Sequence, residues 1–224
     1  MKNLSRCVVA ACLVAGPLAV HAAPVKVQID GVVDYNVIKG GLDGIPSGAP
    51  TSMSFMLDST DYVDSGSFPT RGYTIDLSSF SMTVGGVAIS MDIPQPGGVD
   101  AYFVLRDNDP AIDGFFISLG SVDWPFPLSV HIPDLAPAHD LDFSYTFADG
   151  DTLSSLDILD AVGTYGPPNV SAYLWALGRF GNNGAEFSPE TITISVVPEP
   201  SSVALMALGG LMVGFMVRRR ANRA

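Results

Sequence analysis

Residues 23–197 predict an all-β fold, an antiparallel β-sandwich of jelly-roll type, on three observations. Apolar and polar residues alternate with period two in segment after segment. Clusters of Gly, Asp, Asn and Pro separate those segments, roughly one cluster every ten residues. No long amphipathic helical stripe competes with them. The region, about 175 residues long, suffices for one domain with its own core.

In chain order, Val25, Val27 and Ile29 alternate with Lys26 and Gln28, and Met53, Phe55 and Leu57 alternate with Ser52 and Ser54. Phe80, Met82 and Val84 run into Gly85-Gly86 and out through Val87, Ile89 and Met91, a hairpin with a two-residue turn. Tyr102 to Arg106 and Phe115 to Leu119 flank Asp107-Asn108-Asp109-Pro110, a second hairpin with a longer loop. Leu141, Phe143, Tyr145 and Phe147 form the cleanest alternation and end at Asp149-Gly150. Tyr173, Trp175 and Leu177 lead toward Gly181-Asn182-Asn183-Gly184, and Ile192, Ile194 and Val196 make the last strand. Thr152 to Val162 is expected to form a short helix capped by Asp151 or Thr152.

Composition narrows the function. Residues 23–197 hold five basic residues (Lys26, Lys39, Arg71, Arg106, Arg179) against 22 acidic ones, the chain's 23 less Glu199, a net −17. That sign repels nucleic acid and anionic lipid, keeps an exported protein soluble and attracts divalent cations. Both cysteines, Cys7 and Cys12, precede the domain, so it has no disulfide, thiolate nucleophile or cysteine metal site.

Few residues suggest chemistry. No Gly-x-Ser-x-Gly elbow occurs. His131, Asp134, His139 and Asp140 offer two nitrogens and two carboxylates, but they sit among prolines in what reads as a polar loop. Glu186 and Glu190 are the domain's two glutamates, and with 20 aspartates a glycosidase-like pair can be drawn on paper anywhere. Asn169-Val170-Ser171 has the form of a glycosylation sequon. Weak calcium binding is the better ionic reading: Asp107, Asp109 and Asp113, with Asp149 and Asp151, place hard oxygens on turns. Neither loop fits the twelve-residue EF-hand: counted from Asp107, Ile112 stands where glycine is needed and Ser118 where the closing carboxylate belongs. Tyr62, Tyr102, Trp124 and Trp175 are the aromatics available as sugar platforms. Trp124, in Asp123-Trp124-Pro125-Phe126-Pro127, reads as a loop residue and Trp175 as a core one.

The two ends carry an address. Lys2 and Arg6 precede an apolar stretch from Cys7 to Val20 that ends in Val20-His21-Ala22, the pattern of a signal peptide over residues 1–22. Cleavage falls between Ala22 and Ala23, because a cut after Ala23 would place Pro24 just past the scissile bond. A lipoprotein reading at Cys12 leaves only five apolar residues before it, short of the roughly 7–15 expected. At the other end, residues 198–224 hold Pro198-Glu199-Pro200, an uncharged run from Val203 to Val217, and Arg218, Arg219, Arg220 and Arg223. As a helix that run covers about 22 Å against a hydrocarbon core of roughly 30 Å, a length suited to a transient transmembrane hold. The arginines form a cytoplasmic stop, which puts the domain on the other side of the membrane. Gly210-x-x-x-Gly214 within the run has helix-packing spacing.

Val197-Pro198-Glu199-Pro200-Ser201-Ser202, the glycine-bearing span and the terminal arginines together resemble the PEP-CTERM sorting signal of exopolysaccharide-producing Gram-negative bacteria. The resemblance implies recognition of Pro198, Glu199 and Pro200 by an exosortase, a membrane enzyme with a catalytic cysteine. That enzyme removes the span and passes the protein to the cell surface or extracellular matrix. Two prolines keep such a segment extended and out of the helix, open to a protease-like site. The runs Ser52 to Asp58, Tyr73 to Leu77 and Ser79 to Gly86 resemble, in order and style, the domain often found in PEP-CTERM proteins, which implies a secreted β-sandwich with no catalytic residue. The expectation is a non-enzymatic exported surface or matrix protein associated with exopolysaccharide. Its partners are the exosortase and, transiently, the membrane. The alternative is a secreted carbohydrate- or calcium-binding module.

Overall fold

A computed structural model describes residues 22–178 and 184–198. Within them lie eleven strands: β1 (Pro24–Asn36), β2 (Pro50–Asp64), β3 (Thr70–Val84), β4 (Val87–Met91), β5 (Ala101–Arg106), β6 (Gly114–Leu119), β7 (Leu128–His131), β8 (His139–Phe147), β9 (Gly163–Tyr165), β10 (Val170–Leu177) and β11 (Ala185–Val196). A single 3₁₀ turn, Pro96–Gly98, is the one assigned helix among the described residues.

All pairings are antiparallel, and the ladder closes. β1 lies between β11 and β2; β2 leads to β3, then β5, β6, β8 and β10, and β10 returns to β11. The result is an eight-stranded antiparallel barrel with β4, β7 and β9 as additional strands. The all-β, antiparallel expectation holds, but the pairing draws a barrel where two separate sheets of jelly-roll type were expected. The reason lies in β3 and β8, which are long enough to be bridged twice. Thr70–Thr74 of β3 pairs with β5, while Met82–Val84 pairs with β4. Likewise β8 takes β6 along residues 144–146 and β7 along residues 139–141. Hairpin β5–β6 and the β4–β7 pair thus close the wall at different heights and leave no open edge between two sheets.

Alternation fills the interior. Every second residue of β1 from Val25 to Val33, and of β8 from Leu141 to Phe147, is buried. The centre is aromatic: Phe55 meets Phe103 at 5.6 Å, Phe103 stacks on Phe115 at 5.5 Å, and Phe115 meets Phe147 edge-on at 5.3 Å. Trp175 packs between Phe143 and Phe187 at 6.2 and 5.3 Å. Ring pairs of this kind contribute about 0.5–1.5 kcal/mol beyond area burial.

The expected hairpin turn at Gly85-Gly86 is present, with φ of 57° and 88°, the double positive φ of a type I′ turn that favours glycine. The helix expected over Thr152 to Val162 is absent. Asp157 begins one isolated turn, its Oδ1 accepting the Leu159 amide and its carbonyl the Asp160 and Ala161 amides. Leu153, Ile158 and Ala161 are buried against the barrel core, and Tyr73 anchors the segment by donating to the Leu156 carbonyl (2.8 Å) and accepting the Ile158 amide (2.9 Å). Tertiary burial of a plug overrides local helix preference here. The last strand also starts earlier than expected and runs through Pro189, at the shift in β1–β11 register beside Gly31. A Cβ on Gly31 would lie 2.1 Å from the Ser188 carbonyl oxygen, so glycine is required for the two backbones to pass.

The register sorts the loops into two ends. The start of β1 and the finish of β11 share one end with the β2–β3, β5–β6 and β8–β9 connections. That end holds the domain's entry and exit.

Candidate functional site

Entry and exit are adjacent strands. The Ala23 amide donates to Ser59 Oγ at 2.9 Å, the Ser59 amide returns to the Ala23 carbonyl at 3.1 Å, and Pro24 opens β1 immediately after. Val25 pairs with Val196, and the Val197 amide donates to the Pro24 carbonyl at 2.8 Å. The expected cleavage point between Ala22 and Ala23 therefore lies beside the exit to the C-terminal segment. Pro198 is the first residue past the ladder, and lacking an N–H it cannot extend the pairing. Glu199, Pro200, the apolar run and Arg218, Arg219 and Arg220 lie outside the described residues, as do residues 1–21. Among the described residues no helix is long and apolar enough to cross a membrane.

The aspartate loops do come together, as one braced unit. Asp113 is fully buried; its Oδ1 accepts the Asn108 amide at 2.9 Å and its Oδ2 the Leu153 amide at 2.7 Å. Its own amide donates to the Asp149 carbonyl, and its carbonyl accepts the Phe147 amide. Asp107 takes a bond from Asn108 Nδ2 at 2.8 Å, and Asp149 Oδ1 accepts Thr152 Oγ1 at 2.9 Å and, more weakly, the Asp151 amide at 3.4 Å. Burial, with the Asp113 charge second, pushes the Asp107 carboxyl above its ordinary range. Asp109 instead faces the outer wall near Arg106. Asp113 and Asp149 are thus turned to backbone and loop partners, and among the described residues no three His, Cys, Asp or Glu side chains are grouped to hold a metal ion. The His131, Asp134, His139 and Asp140 set belongs to the same finding, with His131 exposed on β7 and His139 half-buried at the start of β8.

The aromatics separate as their contexts predicted. Trp175 is 1% exposed in the core, whereas Trp124 is 60% exposed. Tyr62 lies on Tyr73 at 5.6 Å with the Arg71 guanidinium 3.9 Å above its ring, and Asp64 grips that guanidinium in a two-point pair. Tyr102 is half-buried in a small outer cluster with Val104, Phe116 and Val122. Glu186 and Glu190 are both exposed on β11, and Asn169 Nδ2 donates to Thr152 Oγ1.

Trp124 stands on a loop that is tied down. Ser118, fully buried, donates to the Trp124 carbonyl at 2.7 Å and accepts the Phe126 amide at 3.1 Å, while Leu119 donates to the Phe126 carbonyl. Thr70 Oγ1 donates to the Val122 carbonyl at 2.8 Å. Gly72 lets the loop lie flat on the barrel: a Cβ there would be 2.4 Å from Val122 Cγ1. These anchors hold the indole against Phe68, ring centres 5.2 Å apart and edge-on. Ser118, Thr70 and Gly72 were missed in the sequence, where nothing local marks them; they act across the sheet.

Between this loop and the outer faces of β5, β6 and β8 lies a groove of about 280 Å³. Phe116 floors it, Ser144 and Thr146 line it from β8, and Asp109 and Asp123 stand at its rim. Arg106 reaches it from the end of β5 and donates from Nη2 to Thr146 Oγ1 at 2.7 Å. The Arg106 Nε is buried with no hydrogen-bond partner, and among the described residues Arg106 has no ion pair. Burial lowers its pKa from the ordinary arginine value, opposed by the charges of Asp109 and Asp113.

The family model described as the PEP-CTERM protein-sorting motif matches residues 196–220. The chain therefore carries a PEP-CTERM sorting motif, which begins on the last rung of β11 and covers Pro198, Glu199, Pro200, the apolar run and the arginine stop. The motif implies export, a membrane-anchored precursor and interaction with an exosortase. No curated protein and no solved structure matches the chain.

Proposed function

We propose that this is a non-enzymatic surface or extracellular-matrix protein, released from its membrane anchor by an exosortase and retained among exopolysaccharide. The single observation that carries the reading is the sorting-motif match over residues 196–220, starting where the barrel's ladder ends. An all-β domain of high negative charge suits a soluble life outside the cell. The fully buried carboxylate, Asp113, is taken up by loop bracing, which supports a structural role for it over a reaction.

Two cuts define the mature protein in this reading, one between Ala22 and Ala23 and one near Pro198-Glu199-Pro200, and both fall at the same end of the barrel. The barrel then leaves the membrane intact. Mass spectrometry of surface material from the native host tests this: the mature C-terminus is expected upstream of Val203. Replacing Pro198, Glu199 and Pro200 with alanine is expected to strand the full-length form in the membrane. Surface protein that still carries Arg218, Arg219 and Arg220 would show the tail to be a plain anchor.

A further inference from the structure

We infer that the groove beneath Trp124 is a saccharide-binding site for a neutral pyranose unit of a polymer. This deepens the matrix reading and rests on it for its biological sense, while its binding chemistry stands on the groove itself.

Trp124 is the first observation. A large indole left 60% exposed forgoes burial, and on a slack loop it would collapse onto the nearest apolar surface. Here Ser118, Leu119 and Thr70 hold the loop backbone, and Phe68 props the ring edge-on. The open indole is therefore presented in a fixed attitude, with little ordering entropy left to lose when a ligand settles on it. The axial C–H face of a pyranose ring is an apolar surface of matching size, with polar groups only around its edge.

The groove supplies what that edge needs. Arg106 donates, Asp109 and Asp123 accept, and the Ser144 and Thr146 hydroxyls do either, all bordering the same space. A planar guanidinium beside carboxylates is suited to neighbouring hydroxyls, which both give and take hydrogen bonds. Arg106 is already half-desolvated, bonded to Thr146 at one nitrogen and without an ion pair, so a polar ligand adds partners to a cation whose dehydration occurred on folding. The volume of about 280 Å³ sits at the lower bound of small-ligand clefts, roughly 300 Å³, which suits one ring of a chain that continues into solvent.

Charge decides the class. Two rim carboxylates and a domain charge of −17 oppose uronate, sulfate or phosphate groups, and one arginine does not offset them. Neutral hexose polymers remain.

The experiment uses the full-length protein purified in detergent and run through native gels containing soluble β-glucan, galactomannan or polygalacturonate. Retardation by a neutral polymer is expected, with a blue shift in tryptophan emission from Trp124 over a constant background from buried Trp175. Trp124→Ala is expected to weaken the apparent affinity by about tenfold or more. Trp124→Tyr keeps a ring and is expected to keep most binding, and Tyr35→Ala, which removes an exposed aromatic of β1 outside the groove, to leave binding unchanged. Retardation by polygalacturonate alone overturns the neutral class. No retardation by either neutral polymer, or retardation undiminished in Trp124→Ala, overturns the site. Processing in the host is read by mass spectrometry, so failure of the site and failure of the sorting reading are separable.

Discussion

The Val197 amide donates to the Pro24 carbonyl at 2.8 Å, so the last hydrogen bond of the barrel joins the first residue of β1 to the residue before Pro198. The two proposed cuts therefore flank the ends of adjacent strands. Only residues 198–202 separate this rung from the apolar run that opens at Val203. Fully extended, five residues span at most about 18 Å. In the precursor the terminal end of the barrel is thus held close to the membrane, and with it Asp58, Asp61 and Asp64 at the end of β2 and Asp107 and Asp149 on the adjoining connections.

That closeness predicts a steric limit on processing. Inserting eight Gly/Ser residues between Val197 and Pro198 gives a membrane enzyme room to reach the motif without opening the Val197–Pro24 rung. Pulse-chase in the host is expected to show faster conversion of precursor to mature protein. An unchanged or slower rate would mean that the folded barrel does not obstruct the enzyme.

The Asp113 carboxylate joins two loops by accepting amides from Asn108 and Leu153. Asp113→Ala leaves the buried Leu153 N–H and the part-buried Asn108 N–H without partners, a loss of about 2–4 kcal/mol from the range for charge-assisted bonds and unsatisfied donors. For a domain of this size that is a drop in Tm of roughly 4–16 °C, readable by thermal melting. A shift within 1 °C would mean that the loops hold without it. The engagement of Asp113 also bears on calcium: added to chelated protein at several millimolar, calcium is expected to leave Tm unchanged, and a rise would show a site assembled from these aspartates.

Tyr73→Phe tests the plug. The hydroxyl holds Leu156 and Ile158 at the barrel mouth, and its removal costs about 1–3 kcal/mol while leaving the ring packing intact. Hydrogen exchange is expected to rise chiefly over residues 153–161. Uniform loss of protection across the strands would assign the effect to the barrel as a whole.

Much of this architecture was legible in the alternation. The paired runs, the Gly85-Gly86 turn and the inward Trp175 all follow from period two and turn chemistry, which report one buried face. Closure was not legible, because a sandwich and a barrel bury the same face; what separates them is the double bridging of β3 and β8. The helix expected over Thr152 to Val162 failed because Leu153, Ile158 and Ala161 serve a plug, a tertiary demand invisible locally. The groove was half-legible. Trp124 stood out among its prolines, but Arg106 and Thr146 are 40 residues apart in the chain and meet only across the ladder.

Asp142 provides a test of pH dependence. It sits half-buried on β8, and burial first, then the Asp140 charge, raises its carboxyl pKa above the ordinary 3.8. A raised acid pKa means that the fold disfavours the ionised form. The penalty is absent below the unfolded value, grows as pH rises toward the folded value, and is complete above it. Protonation therefore stabilises the barrel, and Asp142→Asn, which removes the charge at every pH, is expected to melt higher than the parent at pH 7. The difference in Tm should shrink as pH falls through the raised value and approach zero only below pH 3.8, where the unfolded parent is protonated as well. Scanning both proteins from pH 7 to pH 3.5 checks it. A difference that stays constant over that range would place the effect in packing or hydrogen bonding of the amide, and the electrostatic account of Asp142 would be wrong.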